Sequence, residues 1–77
     1  MSRIVYEVSP NGGMWKAQRD GEFFGQWPTK ETAEAAAKGA AREEHDGGAL
    51  TQVRVHKSDG TFDYEATFGE DPRGIPG

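Results

Sequence analysis

The residues able to do chemistry in this sequence are few, and their spacing suits little of it. His45 and His56 each lack a second histidine or cysteine at the i+3 or i+4 spacing of a metal site. His45 precedes Asp46 near the end of a helical segment, where a solvated imidazole stabilises the dipole. His56 precedes Lys57 on the outer face of a strand, a position from which it could contact a partner. There is no cysteine, which excludes a thiolate nucleophile, a disulfide framework and cysteine-held zinc, haem or iron-sulfur centres. Ser2, Ser9 and Ser58 fall in turns or at the terminus, with neither a G-x-S-x-G elbow nor a lysine partner. Asp63 and Glu65 share one face of a strand about 7 Å apart, a separation that could suit a paired acid and base, but on an open sheet they are solvated. Gly12-Gly13 and Gly47-Gly48 follow a strand and a helix, so neither is a phosphate loop opening a helix. These residues predict no enzymatic activity, no cofactor and no metal.

Electrostatics is more informative. The chain carries 9 basic and 13 acidic residues, a net charge of −4. The helical segment and the part after it each sum to −2, and the part before it sums to zero. Glu43, Glu44 and Asp46 occupy the last helical turn, where the macrodipole disfavours negative charge by roughly 0.3–1 kcal/mol each, and Glu70 and Asp71 add two more. Glu44 also falls on the apolar stripe of the wheel, which requires either that the helix leave its sheet there or that the carboxylate have a partner. Acids grouped in this way can imitate a phosphate track and occupy a basic groove on a larger protein, such as one that handles nucleic acid. The net charge opposes direct binding to nucleic acid. The alternative surface is a polar, mildly basic sheet face with Lys16, Gln18, Gln52, Arg54 and His56, flanked by aromatics from Phe23, Phe24 and Trp27 and suited to RNA or DNA.

These residues are positioned by a short series of elements. Residues 3–8 alternate, with Ile4, Tyr6 and Val8 on one face, and predict a strand that Ser9-Pro10-Asn11-Gly12-Gly13 ends. Residues 14–19 and 22–27 predict two strands joined through Asp20-Gly21. Pro28 closes the third strand, and Thr29 is a helix N-cap without the full capping box, since Thr32 stands where Glu or Gln is needed. Over residues 30–46, Ala33, Ala36, Ala37, Ala40 and Ala41 form one helical stripe, and Gly47-Gly48 stops the helix. Residues 50–56 alternate again. Lys57-Ser58-Asp59-Gly60 turns the chain into residues 61–68, where Phe62, Tyr64, Ala66 and Phe68 oppose Thr61, Asp63, Glu65 and Thr67. The expectation is an α+β fold of order βββαββ, a mostly antiparallel sheet with one helix on one face. Its core is Tyr6, Val8, Trp15, Val53, Val55, Phe62, Tyr64 and the alanines, with Phe24 and Trp27 in the core or covering the helix start.

The series Tyr6-x-Val8-x-Pro10, Gly13-x-Trp15-x-Ala17, the alanine-rich helix opened by Thr29, Ser58-Asp59-Gly60 and Phe68-Gly69-Glu70-Asp71-Pro72 resembles a family of small bacterial and phage domains of unknown function. That resemblance covers nearly the whole chain and implies a fold more than a function. In size and acidity the chain also resembles small phage inhibitors, including anti-CRISPR proteins, which act by occluding a surface of a larger partner.

With 77 residues the chain is one domain near the size at which a core becomes marginal. Nine of its apolar residues are alanine, so few large side chains are left to build that core. Residues 1–68 are expected to form the domain and 69–77 a Gly/Pro-rich tail anchored only by Ile75. No apolar run reaches the length of a membrane span and no signal-peptide core follows Met1. A cytoplasmic protein, monomeric or weakly dimeric, is expected.

Overall fold

A computed structural model describes residues 3–68 of the chain. Five strands and one helix follow in the order β1 (Arg3–Asn11), β2 (Met14–Arg19), β3 (Glu22–Trp27), α1 (Lys30–Asp46), β4 (Leu50–His56) and β5 (Phe62–Phe68). The expected α+β architecture is what is found. All five strands join in one sheet of order β3-β2-β1-β4-β5. Among the described residues the only parallel pair is β1 with β4, and the other three are antiparallel. Helix α1 is therefore a crossover that carries the chain from the β3 edge, over β2 and β1, to β4 on the far side.

Local chemistry accounts for the boundaries. Thr29 is extended and its Oγ1 accepts from the Thr32 amide at 3.2 Å, which satisfies one of the free donors of the first helical turn. At the other end Gly48 takes φ +108°, open to glycine at no steric cost, and its N–H donates to the His45 carbonyl. The β2–β3 hairpin turns through Asp20 (φ 51°) and Gly21 (φ 87°), the mirror-image turn whose twist matches its strands. Strand β1 runs on to Asn11, past the break expected at Ser9. Odd-numbered β1 residues direct their backbone groups to the β2 side: the Val5 carbonyl accepts from the Asp20 N–H, and the Val5 N–H donates to the Asp20 carboxylate. The nitrogen of Pro10 thus points to the β4 side, where pairing stops at Val8, so its missing N–H removes no ladder bond.

The core lies between α1 and one face of the sheet. Tyr6, Val8, Ala17, Val53 and Val55 from the strands, with Ala33, Ala37 and Ala41 from the helix, are at most 1% exposed. Because the helix presents methyl groups, its backbone comes close to the sheet and valine-sized side chains fill the layer. Ile4, Trp15, Trp27, Ala40, Tyr64 and Phe68 pack around this centre. Trp27 lies so flat over Gly25 that a Cβ there would meet its ring at 2.5 Å. Thr51 is the single buried polar residue described, and its Oγ1 donates to the Ala41 carbonyl at 2.9 Å, tying β4 to the helix.

Two departures from strict alternation correct the expected core. A bulge in the β2–β3 pairing falls between Ala17 and Gln18, and another in the β4–β5 pairing between Val55 and His56. The second puts Phe62 opposite His56 on the face away from the helix, 46% exposed, so Phe62 is not a core residue. It also turns Asp63 toward the helix, where it accepts from Lys30 Nζ at 2.6 Å. A bulge inserts one residue into a strand, and every side chain beyond it changes face.

Candidate functional site

The acidic end of α1 divides on inspection. Glu44 points inward along the alanine stripe. Its Oε1 accepts from the Tyr6 hydroxyl at 2.6 Å and its Oε2 from Arg19 Nη2 at 2.7 Å and Nε at 3.2 Å. The guanidinium, then the phenol, hold the Glu44 carboxyl below the usual carboxylate range. Burial, then the bond to Glu44, pushes the Tyr6 hydroxyl up. This is the partner that the position of Glu44 required, and it ties β1, β2 and α1 together. Glu43 and Asp46 are exposed, and Glu70 and Asp71 lie outside the described residues. Of the five acids, two are therefore displayed at the helix end and one is consumed in the fold.

The face of the sheet away from α1 is covered by no described element. Lys16, Gln18, Arg54 and His56 all lie on it. Register runs one row across five strands: Phe23 opposite Gln18, Gln18 opposite Glu7, Glu7 beside Arg54, and Arg54 opposite Glu65. In the neighbouring row Gln26, Lys16 and Ser9 are partners, and His56 stands opposite Phe62. Glu65 Oε1 is 3.9 Å from Arg54 Nε, and Glu65 Oε2 accepts from Gln52 Nε2 at 2.7 Å. His56 Nε2 is 3.0 Å from Glu7 Oε2, while its Nδ1 is 3.2 Å from the Gly60 carbonyl oxygen. Both ring nitrogens thus face oxygen atoms of the fold. Lys16 takes part in neither ion pair of this face. Arg3, Lys16 and Arg54 against Glu7 and Glu65 leave one surplus positive charge, on a chain whose sum is −4.

The two carboxylates weighed as an acid and base pair do not meet. The bulge sends Asp63 to Lys30 on the helix side and leaves Glu65 on the open face. Around Asp63 runs a second polar network. Lys30 is also 4.0 Å from Glu34, the Tyr64 hydroxyl donates to Glu34 Oε1 at 2.9 Å, and Lys38 Nζ donates to that hydroxyl at 2.6 Å. The bond to Asp63 raises the Lys30 pKa. These contacts pin the helix flank to the β5 edge. His45 lies at the helix end, its Nδ1 4.0 Å from Asp46. Among the described residues no group of acids and histidines could hold a metal ion, and no helix is long and apolar enough to cross a membrane.

Phe62, Glu7 and Arg3 belong to the open face and were not singled out for it from sequence. For Phe23 a signal was present, because an adjacent Phe-Phe pair in a strand must direct one ring to each face. Phe24 turns to the helix side, edge-on to Tyr6 with ring centroids 5.2 Å apart, but stays 40% exposed and is not a core residue, and Phe23 is left 67% exposed. For Phe62 no local signal exists, since its orientation follows from the bulge.

A family model described as an uncharacterized protein conserved in bacteria (DUF2188) matches residues 6–68, from the first buried residue of β1 to the end of β5. The chain belongs to this family. The DUF2188 match therefore takes in every strand, the helix and both bulges. No curated protein and no solved structure matches the chain.

Proposed function

We propose that this DUF2188 domain is a non-catalytic binding module and that its open sheet face binds nucleic acid. The observation that carries the reading is the convergence of Lys16, Gln18, Arg54 and His56 on the one sheet face that no described element covers. Cations there meet phosphates, and Lys16 belongs to neither of the ion pairs that this face forms. The net charge of the chain lowers the affinity expected, and the local surplus sets where contact is made.

A second reading assigns the exposed pair Glu43 and Asp46 to the occlusion of a basic surface on a larger protein, in the manner of small phage inhibitors such as anti-CRISPR proteins. Exposure of that pair at the negative end of the helix dipole favours it, and the engagement of Glu44 by Arg19 weakens it. Fluorescence anisotropy of a labelled oligonucleotide separates the two. Loss of binding in K16E/R54E with retention in E43K/D46K is the expected result. Absence of binding by the wild type removes the nucleic-acid reading.

A further inference from the structure

Two bulges in one small sheet have the same outcome. Each lies opposite the first residues of an edge strand, and each turns one phenylalanine out of the helix layer onto the open face: Phe23 on β3 and Phe62 on β5. Strict alternation from Trp27 and from Tyr64 would have sent both rings toward α1. At β3 the bulge exchanges Phe24, which turns toward Tyr6, for Phe23, whereas at β5 displaying Phe62 forgoes part of the roughly 1.5–3 kcal/mol that burying a large apolar side chain contributes. A domain with so few large apolar residues gains nothing in stability from exposing Phe62. The rings occupy opposite corners of the face, four strand spacings and one step along the strands apart, or about 20 Å. Gln18, Lys16, Arg54 and His56 lie between them. The Arg54 guanidinium sits 5.5 Å from the centre of the Phe62 ring, and the His56 ring meets it edge-on at 6.1 Å.

We propose that Phe23 and Phe62 are stacking platforms for unpaired bases, so that the ligand of the open face is a single-stranded nucleic acid lying diagonally across it. The inference rests on the reading of that face as a nucleic-acid surface and adds the class of ligand. A flat ring accepts a base of any identity, and the Arg54 guanidinium over the Phe62 ring is itself a cationic plane on which a base stacks. About 20 Å of strand corresponds to roughly four nucleotides, the lower end of site sizes for small sheet-based binders. Duplex DNA fits poorly on two counts. Its bases are already stacked on one another, and a five-stranded face about 19 Å wide does not enter a major groove of about 12 Å.

The test uses the full chain with an oligothymidylate of about 12 nucleotides and a duplex of the same length. The wild type is expected to prefer the single strand by about tenfold, and F23L and F62L to weaken that binding by about fivefold or more each. Both leucine variants keep the wild-type thermal transition and the wild-type dependence of binding on salt, whereas K16A lowers the salt slope. Equal binding of duplex, or leucine variants that bind as the wild type does, overturns stacking while the open face stands as the nucleic-acid site. Binding of neither probe overturns the underlying reading. Self-association in sedimentation that F23L and F62L abolish, without oligonucleotide binding, assigns the face to a second copy of the chain and overturns the proposal.

Discussion

The two faces of the sheet are built by the same strands and solve different problems. Toward α1 the strands present Tyr6, Val8, Ala17, Val53 and Val55, all closed off by three alanines of the helix. Away from α1 they present Lys16, Gln18, Glu7, Arg54 and His56 in continuous rows. On the covered face no buried side-chain polar atom of the described residues lacks a partner, as in the Glu44, Arg19 and Tyr6 cluster and the Thr51 hydroxyl bond to Ala41. On the open face Arg54 is 3.9 Å from Glu65 and Lys16 joins no ion pair, and the Phe23 and Phe62 rings are left in solvent. The bulges that separate the two patterns occur only on the edge strands, where a broken ladder costs least. The difference teaches that the covered face is arranged for stability and the open face for contact, and substitutions on the two sides should therefore behave differently.

The sharpest contrast is between two aromatic truncations. Tyr6→Ala should cost about 3–5 kcal/mol, a large part of the roughly 4–12 kcal/mol available to a domain of this size. Phe62→Ala should cost less than about 1 kcal/mol. Urea titrations followed by circular dichroism measure both, and equal losses would erase the distinction between the faces. Next in size, Ala37→Leu should destabilise by about 1–3 kcal/mol, because Ala37 is fully buried in the layer between helix and sheet and a larger side chain has no room there. The same enlargement at Val5 on the open face should leave the midpoint nearly unchanged.

Glu44→Gln probes the one acid drawn into the covered side, with an expected loss of about 1–2 kcal/mol at neutral pH. Its folded-state pKa lies below the unfolded value of 4.5, so the ionised carboxylate stabilises the fold above that value and the contribution is lost as pH falls through the folded pKa. The wild type should therefore lose stability on acidification below about pH 5 more steeply than the Gln variant, as acid titrations of the thermal midpoint will show. The smallest expected effect on stability is that of Lys16→Ala, within about 0.5 kcal/mol. Its effect should appear in oligonucleotide binding, as a salt slope lower by about one.

Much of the covered face is legible in the sequence. The alanine spacing from Ala33 to Ala41 defines the helix and the side it buries, Thr29 caps it where expected, and the alternation of residues 50–56 sorts Val53 and Val55 from Arg54 and His56. Even the anomaly of Glu44 on the stripe points to a partner, although its identity as Arg19 and Tyr6 depends on β1 and β2 lying side by side beneath the helix. The parallel pairing of β1 with β4 is not written in either strand, because it follows from where the crossover lands. The open face is legible only in part. Lys16, Gln18, Arg54 and His56 can be grouped by alternation alone, but alternation fails at a bulge, and a bulge is a relation between two strands. Phe62 and Asp63 accordingly lie on the sides opposite to those that alternation predicts.

The most direct test of the account is an amide chemical-shift titration of the isotopically labelled chain with a single-stranded oligonucleotide. The account predicts saturable shifts concentrated at Lys16, Gln18, Phe23, Arg54, His56 and Phe62, with Glu43 and Asp46 unmoved. Shifts centred on Glu43 and Asp46, or none at saturating oligonucleotide, would contradict the assignment of the open sheet face as the binding surface.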